Sequence, residues 1–174
     1  NTTGSQNIGI GYEALTSSTT GAYNVAVGTE ALDANTTASN NTAVGLLALN
    51  ANTTGADNTA VGSGALDANL TGAENTSVGK SSLTENTSGN FNVALGENAL
   101  GNNTTASSNT AVGRRALLAN TTGTPNVAVG ASALDANTTG GSNVAVGFES
   151  LTANTEGNFN TALEKGLSDI DRAL

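Results

Sequence analysis

Apolar and polar residues along this chain return in the same order every 17 positions. The motif Asn-(Thr/Val)-Ala-Val-Gly, or a close variant, starts at Asn7, Asn24, Asn41, Asn58, Asn75, Asn92, Asn109, Asn126, Asn143 and Asn160, with no insertion or deletion. One unit reads N-[TV]-A-V-G-x-x-A-L-x-A-N-T-T-G-x-x, and its columns are numbered 1 to 17 from the first Asn. A fixed period of this kind marks a repeat architecture. Helical-hairpin repeats need roughly twice this length, and leucine-rich repeats start at about 20 residues. The segment Val25–Val27, recurring as Thr42–Val44 and onward, alternates side chains as a strand does. Asn-Gly and Asp-Gly dipeptides are absent, which argues against tight hairpins. The pattern predicts an all-β chain: a parallel β-roll or β-solenoid of about ten coils, stacked ~4.8 Å apart into a rod of ~45–50 Å.

Each column has a physical job in such a coil. Columns 2 and 4 share one strand face and column 3 takes the other. Column 4 is always Val, Ile or Leu, so Val27, Val44, Val61, Val78, Leu95, Val112, Val129 and Val146 are expected in the core. Column 9 supplies a second apolar line through Leu15, Leu32, Leu49, Leu66, Leu83, Leu100, Leu117, Leu134 and Leu151. The glycines of column 5, such as Gly28, suit a turn at positive φ. Column 15 is also Gly except at Ala38 and Ala106, so that turn is expected to have room for a Cβ. Asparagine fills column 1 and most of column 12, where stacked amides can hydrogen-bond along the rod.

Past Asn160 the repeat breaks, with Glu164 where Gly should stand. Thr161 and Glu164 fit a helix capping box. Leu163, Leu167, Ile170 and Leu174 follow at coiled-coil a/d spacing. The expected division is a repeat head over 1–160 and a helical stalk segment over 161–174. A lone helix folded over the rod's end as a cap is the other reading of this segment. Residues 1–6 match the tail of a preceding unit, which reads as a segment cut from a longer chain.

Composition changes the picture in two ways. Leu, Ile, Val and Phe together make up 34 of 174 residues, whereas Ala contributes 28. Burial per coil is therefore small, and the balance against ordering entropy comes out near zero. Association with further copies is the simplest added source of burial, because cysteines are absent. Second, the chain has no His, Cys, Met or Trp. This removes disulfides, thiolate and imidazole metal sites and Ser-His-Asp or Cys-His nucleophiles. Fourteen acidic against five basic residues, a net charge of -9, argue against nucleic acid as a partner. No apolar run approaches a membrane span. Calcium-roll nonapeptides are missing, and no cofactor is implied.

The Asn-x-Ala-Val-Gly units followed by a heptad segment resemble the head domains of trimeric autotransporter adhesins and the similar repeats of trimeric phage tail fibres. The resemblance implies a left-handed parallel β-roll, three chains around one axis, and a coiled-coil stalk continuing from the C-terminus. It also implies an extracellular place, on a cell surface or a virion fibre. The adhesin heads use shorter coils of about fourteen residues, and no neck sequence separates roll from helix here.

Columns 6, 7 and 17 vary most and are expected at corners. Tyr12, Tyr23, Phe91, Phe148 and Phe159, with Arg114 and Arg115, are the candidates for contact with a host- or prey-cell receptor or glycan. The aromatics are equally suited to filling a groove between subunits. Lys80, Glu97 and Arg114 follow one another in column 6 and suggest an alternating charge ladder. Asn-Thr-Thr glycosylation patterns, as at Asn35, are generated by the repeat itself. The expected function is a structural and adhesive segment of a homotrimeric fibre, not an enzyme. A monomeric Thr-rich ice-binding solenoid is the alternative, although Thr36 and Thr37 point to opposite faces. A fibre-borne glycan hydrolase ranks below both, because no catalytic constellation is visible.

Overall fold

The computed structural model describes residues 2–164. Its strands are β1 (Ile8–Ile10), β2 (Val25–Val27), β3 (Thr42–Val44), β4 (Thr59–Val61), β5 (Thr76–Val78), β6 (Val93–Leu95), β7 (Thr110–Val112), β8 (Asn126–Val129), β9 (Asn143–Val146) and β10 (Thr161–Ala162). All pair in parallel and in chain order in one ten-stranded sheet. The register is fixed at one repeat per step, with Val25 opposite Thr42 and Val27 opposite Val44. The chain is thus a β-solenoid of about nine turns, with ~17 residues per coil and no helix among the described residues.

Which side chains point inward is set by parity. The column 1 Asn turns into the coil, so column 3 points in and columns 2 and 4 point out. Ala26, Ala43, Ala60 and their equivalents are fully buried, whereas Val27, Val44, Val61, Leu95 and Val112 are half-buried on the outside. Val78, Val129 and Val146 are more open, at 37–38% exposure. The expectation that column 4 lies inside the coil is therefore corrected. Parity outranks hydrophobicity here: small residues at column 3 are what a narrow interior admits.

The interior has two halves. One is apolar, built from the alanines of columns 3 and 8 and the leucines of column 9, with Leu32 through Leu134 at 0% and Leu151 at 7% exposure. The other is made of amides. Within one coil, Asn41 Nδ2 and Asn52 Nδ2 both donate to the Gly55 carbonyl, at 3.0 Å each. Between coils, Asn69 Nδ2 donates to Asn52 Oδ1 (2.8 Å), and the Asn58 backbone N–H donates to Asn41 Oδ1 (2.9 Å). Buried amides are thus matched donor to acceptor along the rod.

The corners use unusual backbone. Column 5 glycines sit near φ +130 to +140, as at Gly28 (φ 140), where a side chain is strongly disfavoured. Among the described residues columns 7, 9 and 17 also adopt positive φ, with Gly only at Gly64 and with Pro125 as the exception; examples are Glu30 (55), Leu32 (51) and Tyr23 (61). A β-branched residue would be a severe outlier there, and none of these three columns contains Val, Ile or Thr. This explains Leu rather than Val at column 9. Column 15 does not have spare room at its glycines: a Cβ on Gly55 would overlap the Gly72 carbonyl and lie 2.6 Å from Asn52 Oδ1. At Ala38 and Ala106 the methyl is accommodated, and both carbonyls keep their paired amide bonds.

At the C-terminal end, Thr161 and Ala162 pair with Val144 and Ala145. The solenoid therefore runs past residue 160, with strand where the helix was expected to open. Leu163 is described and exposed. Leu167, Ile170 and Leu174, and with them most of the expected stalk, lie outside the described residues.

Candidate binding surface

The outward side chains of columns 2 and 4 form a continuous uncharged surface along the described residues. Ten strands place Ile8, Val25, Thr42, Thr59, Thr76, Val93, Thr110, Val127, Val144 and Thr161 in one line. Ile10, Val27 and the remaining column 4 residues make the parallel line beside it. Neither line contains a charge. At ~4.8 Å per strand and about 10 Å of width, the strip covers roughly 450 Å². That is about the size of the largest apolar patch on an ordinary single chain, and such patches are often functional; here five of the ten column 2 residues are Thr. Sequence reasoning read column 4 as interior and so missed the surface, although the absence of charge in both columns signalled it.

The two ends of each strand give the strip two margins. Column 6 lies on one side and carries Tyr12, Lys80, Glu97, Arg114 and Phe148. Column 17 lies on the other and carries Tyr23, Asp57, Glu74, Phe91 and Phe159. The five candidate aromatics are all exposed but are not brought together. Tyr12 and Phe148 stand 136 residues apart, eight coils of 17. Glu13 beside Tyr12, through a hydrogen bond and its charge, raises the Tyr12 phenol above its ordinary pKa.

The charges behave differently from the expected ladder. Among the described residues the one ion pair joins Arg115 to Asp135 (3.9 Å), while Lys80, Glu97 and Arg114 form none. Arg115 belongs to column 7 and leans across to column 10 of the following coil, away from the strip. Burial raises the Asp135 pKa, and Arg115 partly offsets that rise. Burial also raises Asp67, helped by the charges of Glu85 and Glu30.

Threonines divide by column. In column 13, Thr19, Thr36, Thr53, Thr87, Thr104, Thr121 and Thr138 donate their hydroxyls to the backbone carbonyl one coil on. Column 14 hydroxyls, as at Thr37 and Thr54, face solvent. Glycosylation patterns of the Asn35-Thr36-Thr37 type have their Asn fully buried in the amide ladder. Among the described residues no cluster of acidic side chains has metal-holding geometry, and no helix is long and apolar enough to cross a membrane. No protein-family model matches the chain, and no curated protein or solved structure matches it either.

Proposed function

We propose that this chain is a rigid segment of a homotrimeric surface or tail fibre, placed outside the cell or on a virion, which supports attachment to another surface. The observation that carries the reading is the uncharged strip of columns 2 and 4, continuous over ten strands. A coil interior this poor in large side chains gains little burial by itself. Packing the strips of three copies around one axis adds burial without new secondary structure. The identical coils then present Tyr, Phe and Arg side chains of the margins at many heights, where weak contacts to a receptor or glycan add through effective concentration. Sedimentation equilibrium at micromolar concentration tests this. The expected mass is three times 16.9 kDa, and a monomer defeats the reading.

The same strip favours one other reading. Thr42-x-Val44, Thr59-x-Val61 and Thr76-x-Val78 project in two regular lines on one face of the sheet, an arrangement able to order water if the strip stays uncovered. The Thr36-Thr37 pairs cannot do this, because the column 13 hydroxyls are spent on the backbone. A monomer with clear thermal hysteresis selects this reading over the fibre.

A further inference from the structure

Resting on the reading that three copies pack strip to strip around one axis, we infer that Lys80 of one copy meets Glu74 of the next. Symmetry and charge both lead to this contact. In a closed ring whose axis runs along the rods there is no axial shift, and every contact is heterologous: the column 6 margin of one copy faces the column 17 margin of its neighbour at the same height. Height is set by the strand. Glu74 precedes β5 and Lys80 follows it, so the two residues mark the same level on opposite margins. Both are exposed, and neither takes part in an ion pair within the described residues of its own chain.

At the other heights no like charges meet: Asp57 faces Ser63, Phe91 faces Glu97 and Ser108 faces Arg114. Column 17 carries its two acidic residues at Asp57 and Glu74 and has no basic residue. Column 6 carries its basic residues at Lys80 and Arg114. Three copies in a closed ring cannot alternate in direction, so an antiparallel pairing, which would set column 6 against column 6 and Lys80 against Glu97, is excluded by symmetry. A shift of one coil would set Lys80 against Asp57 or Phe91 and leave Glu74 opposite Glu97 or Ser63, respectively. The level arrangement therefore pairs the lysine with a carboxylate and keeps Glu97 away from Glu74. Opposed charges at the rim of an apolar interface fix orientation and register more than they add affinity.

The chain suits a zero-length test. Lys80 and Glu74 stand beyond opposite ends of β5, whose three residues alone span about 10 Å, so a carbodiimide link between them is expected across copies rather than within one. Treatment of the full chain with a water-soluble carbodiimide, followed by denaturing electrophoresis and peptide mass spectrometry, is expected to give linked dimers and trimers containing a Lys80–Glu74 amide. Lys80→Gln should remove that link. Lys80→Glu should weaken assembly about tenfold, through three like-charge contacts, and Lys80→Glu with Glu74→Lys should restore it. A trimer by sedimentation in which Lys80 is linked only within its own chain, or to a carboxylate at another height, overturns the level arrangement and leaves the trimer standing. A monomer by sedimentation overturns the strip-to-strip reading itself.

Discussion

The two halves of the coil interior reach the same degree of burial by opposite means. The leucines and alanines of columns 3, 8 and 9 exclude water by volume alone. The asparagines of columns 1 and 12 are just as deeply buried, and each must be matched atom by atom. The apolar half admits a few serines, each with a hydrogen-bond partner: Ser150 Oγ donates to the Ala162 carbonyl (3.4 Å). Ser77 and Ser82 replace two alanines in the same coil and bond at 2.5 Å, with Ser82 Oγ also donating to the Gly79 carbonyl (2.9 Å). The amide half is directional. From Asn52 to Asn154, each column 12 Nδ2 donates to the amide oxygen of the N-terminal coil, so one misplaced acceptor is felt by both neighbours. One half therefore responds to size and the other to donor–acceptor identity.

The sharpest way to break this contrast is a substitution that keeps shape and changes chemistry. Asn69→Asp replaces an amide whose Nδ2 donates to Asn52 Oδ1 (2.8 Å) and the Gly72 carbonyl (2.9 Å). A carboxylate would face those two acceptors with no donor, in a site with no solvent exposure. A buried charge without a partner costs about 3–5 kcal/mol. Urea denaturation should show most of the stability lost at pH 7, with partial recovery at low pH, where a protonated acid regains one donor. A loss under about 1 kcal/mol at pH 7 would show that water reaches the ladder.

The converse substitution removes volume. Leu66→Ala should cost about 3 kcal/mol, the usual effect of a cavity at a fully buried leucine. Leu66→Met keeps the volume and should cost under about 1.5 kcal/mol. Leu66→Ile keeps it too, yet should cost more than Met, because Leu66 has φ 53 and a β-branched side chain resists that backbone. Equal losses for Ile and Met would show that backbone conformation does not select Leu at column 9.

The fold was legible because its period is free of insertions and one unit already implies the next. The amide ladder was legible in outline for the same reason. The direction of the strand's faces was not: Val at column 4 looked like core because it is larger than Ala at column 3. The decisive signal lay in column 1, where an Asn kept in all ten units fixes the inward parity. The left-handed corners were readable only as an absence. Thr occurs 27 times in the chain and never in columns 7, 9 or 17. The uncharged strip was hidden for the same reason, and the margin charges acquire meaning only once opposite ends of one strand are placed at one height.

Ser18 sharpens the comparison at the ladder's edge. It stands in column 12 where the next coil has Asn35, and its buried Oγ has no hydrogen-bond partner among the described residues. Asn35 Nδ2 donates to the Ala38 carbonyl (3.2 Å), while the Gly21 carbonyl receives Asn7 Nδ2 (2.7 Å). Ser18→Asn should extend the ladder by one step, supplying an acceptor to Asn35 and a second donor to Gly21. A gain of about 1 kcal/mol is expected, read as an upward shift of the thermal midpoint. A loss would show that the first coil lacks the geometry of the others.

The smallest effect falls on the outer side of the apolar half. Asp67 belongs to column 10, where Asn50 donates its Nδ2 to the Glu30 carbonyl (3.0 Å). Asp67 has no such donor, and burial, with Glu85 and Glu30 nearby, raises its pKa. A raised carboxyl pKa means that the folded chain holds the proton more tightly than the unfolded one. Ionised Asp67 therefore costs stability above the folded-state pKa, and the cost vanishes at pH values below the unfolded one, where both states are protonated. Asp67→Asn should stabilise the solenoid at neutral pH by about 0.5 kcal/mol, with the introduced amide reaching the Leu47 carbonyl as Asn50 reaches that of Glu30. The advantage should shrink as the pH falls through the raised pKa. If denaturation midpoints of the two proteins stay equally far apart down to about pH 3, below the ordinary carboxylate range, the gain comes from the new hydrogen bond rather than from the relieved charge, and amide matching then extends beyond the interior to the coil's outer rim.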